Sequence, residues 1–327
     1  ILQNVRQRRK QYFAITDMIK ISNNWNSDST LCLFQGDCLE LLDSIPDSVI
    51  QLVVTSPPYN IGKKYEKRKP LNQYLEWQKK VIAECFRVLK TSGSICWQVG
   101  NYIDNGEIVP LDIVLYPFFE ELGLKLRNRI IWHFGHGLHS SKRFSGRYEV
   151  ILWFTKSDAY TFNLDPVRIP QKYPEKRYFK GNKKGELSCN PLGKNPSDVW
   201  DIPNVKANHI EKTIHPAQFP VELVERLILS MTNENDWTLD PFMGTGTTQI
   251  ASLIHNRKSC GAEILDEYYE ITMQRINRAF SGDLKIRPME RPIFNPDHPE
   301  DIKPLAVNLN QIKENQSELD SVWGNEK

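Results

Sequence analysis

The chain has 327 residues, enough to bury a large core in one domain or in a domain carrying a substantial insert. Charged residues make up 25% and the formal net charge is only +2, so no uniform field announces a nucleic-acid partner and any basic surface must come from local clustering. No stretch approaches the roughly 20 apolar residues that cross a bilayer. Six scattered cysteines, with no C-x-x-C pair and no secretory signal, point to a soluble protein of a reducing cytoplasm.

Residues 31–37, LCLFQGD, read as a strand, and 38–45 have helical spacing that stops at Pro46. The apolar run 48–55 reads as a second strand, closed by Ser56-Pro57-Pro58-Tyr59, a rigid turn that carries a hydroxyl and an aromatic ring. A long amphipathic helix is predicted over 71–90, a strand over 93–100, and another helix around 110–122. The runs 128–134 and 148–156 read as neighbouring, antiparallel strands. Short β-branched runs alternating with helices predict an α/β protein with a mostly parallel sheet.

Between 157 and 212 Lys, Arg, Pro, Asn and Gly displace the apolar periodicity, and Tyr173, Tyr178 and Phe179 are interleaved with Lys172, Lys176, Arg177, Lys180, Lys183 and Lys184. The segment is an irregular basic insert, whose alternative is a solvated loop. Order returns with a helix over 221–232, a strand over 237–242, a helix over 247–256, a strand over 259–264 and a helix over 266–280. The tail beyond Asp283, rich in Pro and Asn, is predicted to be extended or disordered, packing on the domain if it packs at all.

A glycine turn lies in LDPFMGTGTTQIA, residues 239–251, where a strand ends and a helix begins. Gly244 and Gly246 permit a tight turn with close backbone approach. No lysine follows Gly246, which argues against a P-loop, and Gln249 stands where a dinucleotide fingerprint requires a third glycine. Glu263 closes the next strand, where an acid would meet a ribose diol. A nucleoside-containing ligand with no phosphate requirement satisfies both observations.

TSPPYN at 55–60, HPAQFP at 215–220, DPFMGTGTT at 240–248 and GAEI at 261–264 together resemble the S-adenosylmethionine-dependent DNA amino-methyltransferases. With SPPY early, an insert in the middle and the glycine loop late, the order resembles the permuted beta class. The resemblance implies a doubly wound, mostly parallel seven-stranded sheet with helices on both faces. It divides the chain into an N-terminal extension (1–29), a catalytic half (30–156), a target-recognition insert (157–212), a cofactor-binding half (213–282) and a C-terminal tail (283–327). Asp240, Phe242, Gly244, Gly246 and Thr247 would form the cofactor loop, Glu263 would accept from the ribose hydroxyls, and Asp37 would sit by the adenine unless it only caps the following helix. His215, Pro216 and Phe219 would close over the methionine part. Ser56, Pro57, Pro58 and Tyr59 would be catalytic: the Ser56 hydroxyl and the Pro57 carbonyl accept from the target amine, and Tyr59 stacks on a base flipped out of the duplex.

The basic stretch 62–69, with Lys63 and Lys64, follows the catalytic turn directly and is expected to touch phosphate rather than to be only a solvated loop. His133, His136 and His139 are interrupted by glycines and fit a DNA-facing loop with Lys142, Arg143 and Arg147 better than a zinc site; no metal is expected. Lys183 and Lys184 are the expected DNA contacts of the insert. No cysteine follows a proline, as the nucleophile does in the Pro-Cys signature of the ring-carbon cytosine methyltransferases, so resemblance to that family and covalent attack on the ring are disfavoured.

The expected activity is methylation of cytosine N4 in double-stranded DNA, with a restriction endonuclease acting on the same site as a possible partner. Adenine N6 is the rival within the class; the resemblance favours cytosine, because the adenine enzymes of this family usually carry Asp where Ser56 stands and SPPY is more typical of the cytosine enzymes. A DNA-binding protein on an inactive methyltransferase fold is the rival from another class, against which the intact Ser56, Tyr59, Asp240, Gly244, Gly246 and Glu263 argue.

Overall fold

The computed structural model describes residues 19–135, 137 and 139–289. In chain order its strands are β1 (Ile21–Ser22), β2 (Leu31–Gln35), β3 (Ile50–Thr55), β4 (Leu89–Val99), β5 (Asn101–Asp104), β6 (Glu107–Pro110), β7 (Lys125–His133), β8 (Tyr148–Thr155), β9 (Val199–Asp201), β10 (Trp237–Asp240) and β11 (Lys258–Glu263). Strands β5 and β6 pair with each other as a separate hairpin, and the other nine form the central sheet, in the order β1-β2-β11-β10-β3-β4-β8-β7-β9. Only β8 runs against its neighbours, pairing antiparallel with both β4 and β7. The expected seven strands are therefore present, with β1 and β9 added as short edges.

Buried on both faces, a parallel strand needs apolar residues at successive positions, and every residue of β3, IQLVVT, is buried. Its side chains alternate between two cores: Leu52 and Val54 pack on one face, Val53 on the other. Helices α1 (Cys38–Ser44), α2 (Leu71–Val88) and α3 (Leu111–Glu121) cover the Val53 face. Helices α4 (Val221–Met231), α5 (Thr247–Leu253) and α6 (Asp266–Phe280) cover the other. The result is a doubly wound α/β fold, as the alternation of runs predicted.

Several boundaries moved. The predicted helix 71–90 ends at Val88 and β4 begins at Leu89, because Leu89 is already paired with Ile50 across the sheet. Segment 157–212 carries only a 3-10 turn (Asp165–Val167), two isolated bridges (Ile169 with Lys194, Arg177 with Leu187) and β9, which rejoins the sheet beside β7. The tail does not all lie beyond the fold: Leu284, Ile286 and Arg287 are buried, and the Arg287 guanidinium pairs with Glu222 of α4. The remainder of the predicted tail, and most of the N-terminal extension, lie outside the described residues. Among the described residues no helix is long and apolar enough to cross a membrane.

Strands β10 and β3 are parallel neighbours, and the chain leaves them towards opposite edges, through α5 to β11 and through α2 to β4. A sheet of this kind opens a crevice at the carboxyl ends of two such strands.

Candidate active site

A cavity of about 530 Å³ opens in that crevice, and Asp37, Ser56, Tyr59, Phe242, Gly244 and Glu263 all reach its wall. Two strand ends, Thr55 of β3 and Asp240 of β10, are joined beneath it. Thr55 Oγ1 donates to Asp240 Oδ1 at 2.6 Å, the Phe242 N–H to the same oxygen at 3.1 Å, and Thr248 Oγ1 to Oδ2 at 2.9 Å. Asp240 is completely buried, which pushes its carboxyl up to about 6 against the pull of these donors.

Asp240 is expected from its motif to contact the cofactor; here both of its carboxylate oxygens accept from protein donors. It is not among the residues of the cavity wall, and it braces the end of β3, which leads into the SPPY turn, against the glycine loop. Gly246, also expected in the cofactor loop, has a packing role. It caps α5 with φ +70°, and a Cβ there would lie 2.6 Å from Thr272 Cγ2, so the glycine lets α5 pack closely on α6. The Asp240→Ala variant is expected to lose at least about 3 kcal/mol of stability, since three donors lose their buried acceptor. Denaturant melts without ligand measure this, and an unchanged midpoint would return Asp240 to a ligand-binding role.

Glu263, at the end of β11, is 9% exposed, and its carboxylate orders the loop: Oε2 accepts the Gly244 N–H at 3.0 Å and Oε1 the Leu265 N–H at 2.9 Å. Burial pushes its carboxyl up to about 7. Asp37 caps α1 by accepting the Leu39 N–H at 2.8 Å, the alternative considered for it, and it also lines the cavity. Thr247 also lines the cavity, and its hydroxyl receives Arg275 Nη1 at 3.1 Å.

The Ser56-Pro57-Pro58-Tyr59 turn forms the other wall. Ser56 Oγ lies 3.0 Å from the Tyr59 hydroxyl, which donates to Glu149 Oε2 at 3.1 Å; Gln98 Nε2 donates to the same carboxylate oxygen. Burial beside Glu149 holds the Tyr59 phenol well above its ordinary value, so it keeps its proton. Burial also pushes Glu149 up to about 7. An ionised carboxylate only accepts, so Tyr59 directs its proton to Glu149, and the Tyr59 oxygen then takes the Ser56 proton. Both lone pairs of Ser56 are left for a ligand. Neither Glu149 nor Gln98 stood out in the sequence, where each is one polar letter within an apolar strand.

Loop 61–69 folds back over the cavity. Glu66 accepts the N–H groups of Asn60 and Ile61 at 2.8 and 2.7 Å, and Asn60 exchanges hydrogen bonds with the Lys69 backbone. The Tyr65 ring stacks on His215 with centroids 5.4 Å apart, and His215 meets Tyr268 edge-on at 4.3 Å. Burial pushes His215 down to about 4, leaving the imidazole neutral near pH 7. His215, Pro216 and Phe219 all line the cavity.

The family model described as DNA methylase (N6_N4_Mtase) matches residues 50–274. The chain belongs to the S-adenosylmethionine-dependent DNA amino-methyltransferases. Among relatives, Type II methyltransferase M.BglII of Bacillus subtilis is 55% identical over 74% of this chain and 68% of its own length. DNA adenine methyltransferase YhdJ of Escherichia coli (strain K12) is 34% identical over 76% of this chain and 83% of its own. Among solved structures, a DNA modification methylase of Thermus thermophilus, complexed with S-adenosylmethionine, is 28% identical with a TM-score of 0.54 over 75% of this chain and 93% of its own. The cytosine-N4-specific PvuII DNA methyltransferase shares the fold at 23% identity, with a TM-score of 0.61 over 75% of this chain and 86% of its own.

The cavity of this amino-methyltransferase suits the family's methyl donor. Glu263 retains lone pairs for a diol, Ile264 is a large apolar side chain left 61% exposed beside it, and the Phe242 ring is backed by Trp77 at 5.3 Å. The neutral His215 adds no charge to repel a sulfonium. Ile264 belongs to the GAEI motif at 261–264, but the motif assigns it no role of its own.

The expected DNA contacts scatter over three places. Lys63 lines the cavity mouth, and Lys64 is exposed on the same loop. Lys142 and Arg143 are exposed between β7 and β8, where Arg147 donates to the Gly146 carbonyl at 2.9 Å and approaches His139 Nδ1 at 3.5 Å. Lys183 and Lys184 are exposed in a turn closed by the Lys184 N–H donating to the Gly181 carbonyl at 3.0 Å. Of the three histidines considered for zinc, His133 bonds Asp201 at 2.6 Å, and His136 lies outside the described residues.

Proposed function

We propose that the protein methylates the exocyclic N4 amine of a cytosine flipped out of double-stranded DNA, in the cytoplasm of a bacterium and as part of a restriction-modification system. The observation that carries this reading is the ordered chain from Ser56 through Tyr59 to Glu149 at the cavity wall. The cytosine amine is a poor nucleophile because its lone pair is delocalised into the ring. Accepting its two protons at Ser56 Oγ and the Pro57 carbonyl localises that pair and aims it along the transfer line. S-adenosylmethionine, when bound, supplies an electrophilic methyl group.

As the nitrogen gains the methyl it must lose a proton. Ser56 Oγ takes it while passing its own proton to Tyr59, and the Tyr59 proton moves to Glu149 Oε2. A carboxyl held near 7 can receive that proton and release it at neutral pH. Ser56 is neutral and small, and the resemblance associates Asp at this position with adenine. The adenine reading is favoured instead by the name of the E. coli relative.

Sequencing DNA from cells expressing the protein, by a method that separates N4-methylcytosine from N6-methyladenine, tests the base and maps the site. Methylated adenine alone would overturn the cytosine assignment. A nuclease partner is supported by relatives named as Type II methyltransferases.

Segment 157–212 is proposed to position the enzyme on its site. Replacing Lys183 and Lys184 with Gln is expected to weaken DNA binding and to flatten the slope of log affinity against log salt by about 0.9 for each phosphate that is no longer neutralised. An unchanged slope would show these lysines to be a solvated face.

A further inference from the structure

We propose that Phe144 is the wedge that enters the base stack as the target base leaves it. This rests on the base-flipping methyl transfer proposed above. Phe144 is the most exposed large apolar side chain among the described residues, with no part of its ring covered by the protein. Its place explains why that exposure is useful. Strands β7 and β8 pair up to His133 with Tyr148, and the ladder is extended by the Phe134 N–H donating to the Arg147 carbonyl at 3.0 Å. Beyond it the Ser140 N–H donates to Ser145 Oγ at 3.1 Å, closing a loop whose tip carries Lys142, Arg143 and Phe144.

The roots of this hairpin are in the cavity wall. Trp132 on β7, Phe134 just past its end and Glu149 on β8 all line the cavity, and Glu149 is the carboxylate that orders Tyr59 and Ser56. A base reaching Ser56 therefore leaves its stack beside the base of the hairpin. Lys142 and Arg143 give the tip two cations for the phosphates flanking the gap, and the phenyl ring has no donor or acceptor, so it can fill the gap whatever the neighbouring bases are. Phe179 is also 82% exposed among cations, but the stretch 170–195 around it contributes nothing to the cavity wall.

The test uses the full-length protein and two duplexes carrying the site mapped in expressing cells. In one the target base is paired; in the other it faces an abasic position and is already unpaired. Single-turnover methylation is measured with saturating S-adenosylmethionine and DNA. The Phe144→Ala variant is expected to be at least about tenfold slower than the parent on the paired duplex, and within about twofold of it on the unpaired one, because only the first needs the gap filled. Phe144→Trp, which keeps a stacking face, restores the rate on the paired duplex. Equal slowing on both duplexes, or no slowing on either, overturns the wedge. A parent that methylates neither duplex overturns the underlying methyl-transfer reading and the wedge with it, a pattern distinct from either of those.

Discussion

Replacing Ser56 with Ala is expected to slow methyl transfer by about 10² to 10³-fold, the range found when one preorganised hydrogen-bonding group is removed from a reacting centre. Affinity for cofactor and DNA should change little, because the hydroxyl matters most as the amine lone pair is recruited. Single-turnover rates under saturating conditions measure the first, and equilibrium titrations the second. A parental rate in Ser56→Ala would leave the Pro57 carbonyl as the principal acceptor. Ser56→Asp sharpens the test, since a carboxylate is larger and would face Glu149 through Tyr59; it is expected to lose cytosine activity.

The second large effect concerns Glu149. The parent rate should rise with pH through about 7, where this carboxyl ionises and becomes an acceptor only. Below that pH Glu149 already carries a proton and cannot take the one relayed through Ser56 and Tyr59, and Tyr59 can turn its own proton on Ser56, which occupies one of the two Ser56 lone pairs. Glu149→Gln should therefore be slower by about 10²-fold at pH 8, with a flat profile between pH 6 and 8.

Stability should move the other way. The folded-state pKa lies above the unfolded value of 4.5, so the contribution of this group to stability is full below about 4.5 and is lost as pH rises through about 7. A glutamine can still accept from Tyr59 and Gln98 without a buried charge, so the variant should melt no lower than the parent at pH 8. A variant that loses rate and melting temperature together would point to misfolding, and an unaltered pH profile would remove Glu149 from the relay.

How much of this was legible in the sequence depends on how local each signal is. Strands β3 and β11 announce themselves by continuous burial, and α6 by the spacing of Tyr269, Met273, Ile276 and Phe280. Edge strands β1 and β9 contain two and three residues and owe their form to the neighbours they extend. The β5–β6 hairpin carries Ile103 and Ile108 largely exposed, so it lacks the pattern of a buried face. At the site, the motifs located the wall but not every role. Asp240 looked like a ligand because it opens the DPF motif, yet the hydroxyls it binds belong to Thr55 and Thr248. Glu149 is 90 residues from Tyr59 in sequence, and no local spacing reports a contact of that range.

The brace between Thr55 and Asp240 spans 185 residues of chain but only two neighbouring strands. During synthesis the SPPY turn therefore emerges long before the carboxylate that anchors it. A folding intermediate built from the first half alone would hold its turn without that lateral tie, and catalytic geometry would arrive late, with the second half. The same lateral arrangement makes the tie indifferent to which strand comes first in the chain: ends joined and reopened in an exposed stretch such as 181–186 would leave both strand termini facing each other. Motif order can thus be rearranged among such sheets while the chemistry keeps its place.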